Sequence, residues 1–257
     1  MKNILYKSFV VLAAGLMLGA CEENAIEDYN EPVTSGAFVK FAHTAADAPM
    51  VNFYLDNAKI TALAANSAGE EQGLSYATIS VFPASYGYAN VPAGSHNLQA
   101  ISPATTGAGV VASSSVNFEE GEHYTTFLVG ETGAFEAFVV EDELPAENYA
   151  QTHVRFVNVL KHAPAAFDAE IVRTATSETP ETRTSLGNDV AFKGNTAYVA
   201  IEPQGSYLVE LKTVDEEGEE VTLKSASFSP VAGRVYTLFL RGNADGSTVS
   251  STLIRDR

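Results

Sequence analysis

Residues 38–43 read Phe38-Val39-Lys40-Phe41-Ala42-His43, and 115 residues after Val39-Lys40-Phe41 the chain reads Val154-Arg155-Phe156. Each stretch alternates β-branched or aromatic residues with smaller or charged ones, the period of a strand with one face in a core. The likeness extends outward. Eight residues beyond each phenylalanine, Ala48-Pro49 matches Ala163-Pro164. Val91-Pro92-Ala93-Gly94-Ser95-His96-Asn97-Leu98 matches Ile201-Glu202-Pro203-Gln204-Gly205-Ser206-Tyr207-Leu208 with one insertion. Tyr124-Thr125-Thr126-Phe127-Leu128-Val129-Gly130 matches Tyr236-Thr237-Leu238-Phe239-Leu240-Arg241-Gly242. An internal repeat of this length means two copies of one structural unit.

Within each copy, short segments rich in Val, Phe, Tyr, Ile and Thr are broken by Gly, Pro, Asn and Asp. In copy one the expected strands are 38–43, 51–55, 76–82, 86–91, 94–101, 110–118, 123–129 and 135–140. Copy two repeats the series and ends with strands at 234–241 and 248–255. Seven or eight strands per copy, with turn residues every 8–12 positions, predict an all-β chain of two tandem immunoglobulin-like β-sandwich domains. Their expected bounds are 35–143 and 151–257, joined through Glu143-Leu144-Pro145-Ala146-Glu147-Asn148. Ile60 to Glu71 is Ala-rich and suits a short helix, whereas its counterpart, Thr174 to Asn188, is polar and reads as a loop.

Phe41-Ala42-His43-Thr44-Ala45-Ala46-Asp47-Ala48-Pro49, followed by Val51-Asn52-Phe53-Tyr54-Leu55-Asp56, resembles the opening motif of the domain of unknown function 4397 family. Val91-Pro92-Ala93-Gly94 and Gly121-Glu122-His123-Tyr124-Thr125 resemble that family's later motifs. Copy two is less similar: Asn158 replaces His43, and Lys161-His162 replaces Ala46-Asp47. The resemblance implies an extracytoplasmic β-sandwich, often in tandem and often on lipoproteins, and it implies no reaction.

The N-terminus predicts how such domains are delivered. Lys2 and Lys7 precede an apolar run from Phe9 to Leu18, and small residues follow it. That is the layout of a secretory signal over residues 1–20. The run is too short for a helix that spans a bilayer, which needs about 20 apolar residues. Leu18-Gly19-Ala20-Cys21 resembles the lipobox of bacterial lipoproteins, in which the cysteine is acylated and becomes the new N-terminus. Two or more acyl chains on Cys21 would hold the chain stably in a membrane. Cys21 is the single cysteine, so no intramolecular disulfide is available to the fold. Residues 21–34, with Glu22-Glu23-Asn24, Glu27, Asp28 and Glu31, read as an acidic disordered tether, as a surface-export signal, or as both. The expected location is the outer membrane, facing the cell surface, with a periplasmic orientation as the alternative.

The whole chain carries 15 basic and 32 acidic side chains, a formal charge of −17. Removing residues 1–20 takes away Lys2 and Lys7 and leaves −19. Such a surface repels phosphate backbones, so nucleic acid is excluded as a partner. The expected partners are the membrane, through Cys21, and an envelope protein or a glycan.

No nucleophile elbow, phosphate-binding loop or dinucleotide fingerprint occurs, and the five histidines show no metal-ligand spacing. The expectation is a non-catalytic binding or structural module without cofactor or metal. Candidate ligand contacts are His43, Asp47 and His96 as a rim site, and Tyr86 and Tyr88 as an aromatic platform. The two tyrosines would suit the alternative function, glycan binding within a polysaccharide-uptake system. The acidic run at 215–220 reads as a solvated hairpin tip; it lacks the alternating oxygen spacing of a calcium loop, and the sequence leaves calcium binding open.

Overall fold

A computed structural model describes residues 35–77, 80–103, 109–161, 166–214, 219–243 and 248–257. The leader, Cys21, the acidic tether, His162 and positions 215–218 of the acidic run lie outside the described residues.

Among the described residues every regular element is a strand. The first nine are β1 (Ala37–His43), β2 (Asn52–Leu55), β3 (Ala58–Lys59), β4 (Val81–Phe82), β5 (Ala89–Val91), β6 (Gly94–Ser102), β7 (Gly109–Phe118), β8 (His123–Glu131) and β9 (Ala134–Glu141). They form two sheets. One has the order β4-β1-β8-β9, with β5 also pairing β1; the other has the order β3-β2-β6-β7. The remaining strands are β10 (Thr152–Asn158), β11 (Ala166–Arg173), β12 (Thr182–Ala191), β13 (Val199–Ile201), β14 (Tyr207–Val214), β15 (Glu220–Phe228), β16 (Val235–Gly242) and β17 (Val249–Arg255). Their sheets run β13-β10-β16-β17 and β12-β11-β14-β15. The strand order of the first region thus recurs in the second. The unusual parallel pair recurs as well: β1 beside β8 with Lys40 opposite Thr125, and β10 beside β16 with Arg155 opposite Thr237.

Each region closes a core between its own two sheets. Val39, Phe41, Tyr124 and Leu128 meet Phe53, Leu98, Ala100 and Phe118 in the first. Val154, Phe156, Tyr236 and Leu238 meet Phe167, Ile171, Val209 and Leu211 in the second. A third core lies between the regions. Ala42, Phe127, Val129 and Val140, from the opposite face of the first parallel-paired sheet, pack on Val157, Phe239 and Ile254. Phe127 and Phe239 meet edge to face, with centroids 5.4 Å apart. The sheets carrying β1 and β10 are therefore inner layers, covered on both faces. This explains why β1 and β10 share the burial of a two-sided strand, as parallel pairs usually do. The glycine that ends both copies of the Tyr-Thr motif has a local cause in its own hairpin: a Cβ on Gly130 would strike the Ala134 carbonyl, and one on Gly242 would strike the Thr248 carbonyl.

Four local expectations are corrected. Residues 60–71 are irregular chain with one turn rather than a helix, and Asn66 organises that turn by accepting from Ala68 N and Glu70 N. The supposed loop at 174–188 contains the start of β12, ten residues long, whose polar outward side chains belong to a sheet edge. Of the strand expected over 76–82, the described residues hold only Val81–Phe82 as strand, and that expected over 86–91 is reduced to Ala89–Val91.

Candidate binding grooves around a buried charge cluster

The inner layers meet through charge as well as through apolar contact. Lys40 projects from the face of β1 opposite Val39 and Phe41, and the alternation of a strand places Arg155 identically on β10. Each cation crosses to the other region. Lys40 Nζ lies 3.1 Å from Asp256 Oδ1 and donates to the Arg255 carbonyl at 2.6 Å. Arg155 Nη2 pairs with Asp142 Oδ1, and Nη1 donates to the Glu141 carbonyl at 2.9 Å. Asp142 and Asp256 are equivalent: each follows the last strand of its region, and their amides donate to His123 and Val235 carbonyls at 2.7 and 2.8 Å.

Neutral donors from each region complete the carboxylates. Asp142 accepts from Thr125 at 2.7 Å and from Tyr88 at 2.8 Å. Asp256 accepts from Thr237 at 2.6 Å and from Tyr198 at 3.1 Å. Each cation also sits on a tyrosine face, Lys40 at 4.4 Å from the Tyr88 centroid and Arg155 at 4.8 Å from that of Tyr198. Lys40 and Asp256 are fully buried. Burial and the neighbouring carboxylates hold both phenols far above the ordinary tyrosine range, so they remain donors. Burial opposes the charge on Arg155, yet Asp142 holds its guanidinium above the usual value. Burial likewise pushes the Asp256 carboxyl up against the pull of Lys40. Two cations and two anions leave the cluster neutral, and its hydroxyls and ions satisfy one another.

Two grooves flank this junction. One, of about 580 Å³, runs along β9 and the linker against residues 193–198, and includes Glu141, Glu143 and Lys193. The other, of about 380 Å³, lies between residues 81–86 and β17, and includes Tyr86, Arg234 and Arg255.

The sequence candidates scatter over this architecture. His43 is buried at the end of β1, with Nε2 2.9 Å from the Pro49 carbonyl and Nδ1 unpartnered. Asp47 is exposed in the connection that follows. His96 is on β6 beside the turn after β2, with Nδ1 2.6 Å from Asp56 Oδ2. Because β2 runs from the His43 end of the sandwich to the Asp56 end, His43 and His96 lie at opposite ends, and the rim site is not assembled. Asn158, the counterpart of His43, is also buried: it donates to the Val190 carbonyl and accepts from Leu160 N. Both residues pin the first connection of their region. The two tyrosines part company as well. Tyr88 belongs to the charge cluster, whereas Tyr86 is 58% exposed and stacks with Arg255 at 4.4 Å. Lys40, Arg155, Asp142 and Asp256 were not foreseen. The signal was present in the repeat, where basic, Thr, Tyr and Asp residues recur in phase among apolar neighbours. Among the described residues no group of three or more His, Cys, Asp or Glu is placed to hold a metal.

These features define an all-β protein of two sheet-rich regions built on one strand plan and joined through a buried interface. The chain belongs to the family described as Domain of unknown function (DUF4397), whose model matches residues 37–166. Curated proteins give no match. Among solved structures, similar chains include a provisionally designated cell adhesion protein of Bacteroides uniformis ATCC 8492. It is 13% identical with a TM-score of 0.28, over 86% of this chain and 99% of that one. A protein of the same designation from Bacteroides ovatus ATCC 8483 is 8% identical with a TM-score of 0.27, over 87% and 98%. A family 26 carbohydrate-binding module from Eubacterium rectale, in complex with maltoheptaose, is 7% identical with a TM-score of 0.25, over 84% and 95%. At that level of likeness no functional conclusion follows.

Two outcomes are expected. Asp142→Ala strands the Arg155 charge and lowers unfolding free energy by about 3–5 kcal/mol, whereas Arg155→Met combined with Asp142→Leu recovers most of the loss; urea denaturation of the three proteins checks this. His43 is held below its ordinary value of 6.5, first by burial and also by Arg241. The unfolded chain therefore takes up that proton more readily, and the stability is present above about pH 6.5 and lost as pH falls below it. Wild type should thus lose stability relative to His43→Gln between about pH 7.5 and 5, and a pH-independent difference would contradict the burial of a neutral imidazole.

Proposed function

We propose that the chain is a lipid-anchored cell-envelope protein whose two β regions form a non-catalytic binding or structural module. In this reading residues 1–20 are removed on export, Cys21 carries the acyl chains, and 21–34 is the tether. Two immunoglobulin-like sandwich domains of the same family, 35–143 and 151–257, are displayed from the outer membrane at the cell surface. The lipobox-like Leu18-Gly19-Ala20-Cys21 supports the anchor.

The observation that carries the module reading is where the ionisable groups go. The most deeply buried of them, Lys40, Arg155, Asp142 and Asp256, are committed to one another between the inner layers. That chemistry makes one rigid body of two repeats. It leaves the surface grooves and loop ends as the places of contact, as in other rigid scaffolds. A second reading, a surface glycan-binding lipoprotein of a polysaccharide-uptake system, is favoured by the exposed ring of Tyr86 at a groove. The inward-turned ring of Tyr88 removes the other half of the expected platform.

Protease treatment of intact cells tests the placement. Wild type is expected to be digested at the surface, and Cys21→Ala to be found in the soluble fraction. Protection of the wild type together with membrane attachment would turn the module toward the periplasm, and membrane attachment of Cys21→Ala would remove the acyl anchor from the account.

A further inference from the structure

The groove against β17 brings two arginines together on this acidic protein. Arg234, just before β16, and Arg255, at the end of β17, both line it. Neither guanidinium has a carboxylate partner among the described residues, although 32 acidic side chains are available. Arg183, on the outer sheet, contacts Glu170, Glu181 and Glu210, whereas Arg173, Arg241 and Arg257 have no ion pair among the described residues; what sets Arg234 and Arg255 apart is that they line one groove together. Arg255 Nε is buried with no acceptor. A buried guanidinium nitrogen without an acceptor costs free energy, which an anion recovers only where the half-buried side chain turns that nitrogen toward the groove.

The repeat sharpens the point. Glu122 occupies in the first region the place of Arg234 in the second, since Gly121-Glu122-His123-Tyr124 aligns with Gly233-Arg234-Val235-Tyr236. Glu141 likewise occupies the place of Arg255: Tyr124 pairs with Glu141 as Tyr236 pairs with Arg255. Both positions have changed sign together, on a scaffold that is otherwise kept. The fold itself therefore does not require arginine at either place. What the second region gains is a pair of guanidiniums beside an exposed aromatic ring, and Tyr86 comes from the first region, so the site exists only where the two regions meet.

We propose that the groove formed by Tyr86, Arg234 and Arg255 binds a carboxylate-bearing sugar, of the uronic acid class, within an acidic glycan. The planar guanidinium fork matches a carboxylate with two parallel hydrogen bonds. The free part of the Tyr86 ring offers an apolar face to the C–H face of a sugar ring, and the stacked Arg255 holds that ring in place. A volume of about 380 Å³ suits a small ligand, and a shallow groove admits units of a longer polymer. Because the chain as a whole is acidic, attraction is confined to the groove, and binding weakens as salt screens it. The inference rests on the reading of the chain as a binding module, and it names the ligand of that module.

The test is calorimetric titration of the full chain, carrying Cys21→Ala for solubility, with an oligouronide at low salt. The neutral hexose oligomer of equal length, poly-glutamate and inorganic phosphate are titrated alongside. The oligouronide should bind and the neutral oligomer should not. Arg234→Gln and Arg255→Gln should each weaken binding about tenfold or more, the loss of one charge-assisted contact. Arg255→Lys keeps a cation in the groove but loses the fork, and should also weaken binding. Lys224→Gln, on β15, should leave it unchanged. No oligouronide binding, binding indifferent to both arginine variants, or equal binding of phosphate or poly-glutamate would overturn the proposal. Such a failure with surface display intact would leave the module reading standing, and loss of surface display would strike that reading instead.

Discussion

Two crossed ion pairs hold this molecule to one arrangement: Lys40 of the first region on Asp256 of the second, and Arg155 of the second on Asp142 of the first. Taking four charges out of water is costly, and a purely apolar interface would be about as stable or more so. The apolar part of the contact, with Phe127 against Phe239, supplies the attraction that makes burial worthwhile. What the charges add is discrimination. Apolar sheets can slide or rotate against each other at modest cost, whereas a displaced Lys40 or Arg155 would be a buried charge without a counterion. Thr125, Thr237, Tyr88 and Tyr198 enforce the same position by filling the remaining acceptor sites of the carboxylates.

Duplication explains how such a cluster is built from one strand plan. A cation on the first strand, a threonine on its parallel neighbour and an aspartate after the last strand occur once in each copy. When two such faces meet, each cation finds the other copy's aspartate, so every polar group is satisfied twice over by the same local design. The copies differ at and beside this cluster without breaking it: Lys40 and Arg155 are interchangeable as cations, and Glu141 and Arg255 contribute only their carbonyls to it. The sign reversal from Glu122 and Glu141 to Arg234 and Arg255 puts two arginines in one groove, where it changes what the protein can contact while the strand plan is kept.

Much of the fold was legible in the sequence, because the repeat and the alternation of Val, Phe and Tyr report directly on strands with a buried face. The interface was less so. Lys40 and Arg155 look like the solvent-facing members of an alternating strand, and only the presence of a second layer turns that face inward. Polar β12 read as a loop because an edge strand buries few of its side chains. The apparent His43 site dissolved because proximity in sequence across a turn is not proximity of function: the imidazole faces the Pro49 carbonyl, and His96 is at the far end. Tyr86 and Tyr88, two residues apart, proved to serve a groove and a core respectively, a distinction set by the partner region and not by the local pattern.

The central claim is that the crossed pairs make one cooperative body of two repeats. Native-state hydrogen exchange of the amides of β1, β8, β10 and β16, followed across low denaturant concentrations, tests it most directly. The account predicts that the slowest amides of both inner sheets share one opening free energy and one denaturant dependence. Separate opening free energies for the β1–β8 and β10–β16 pairs would contradict it, and would mean that the two regions unfold as independent domains despite the charges buried between them.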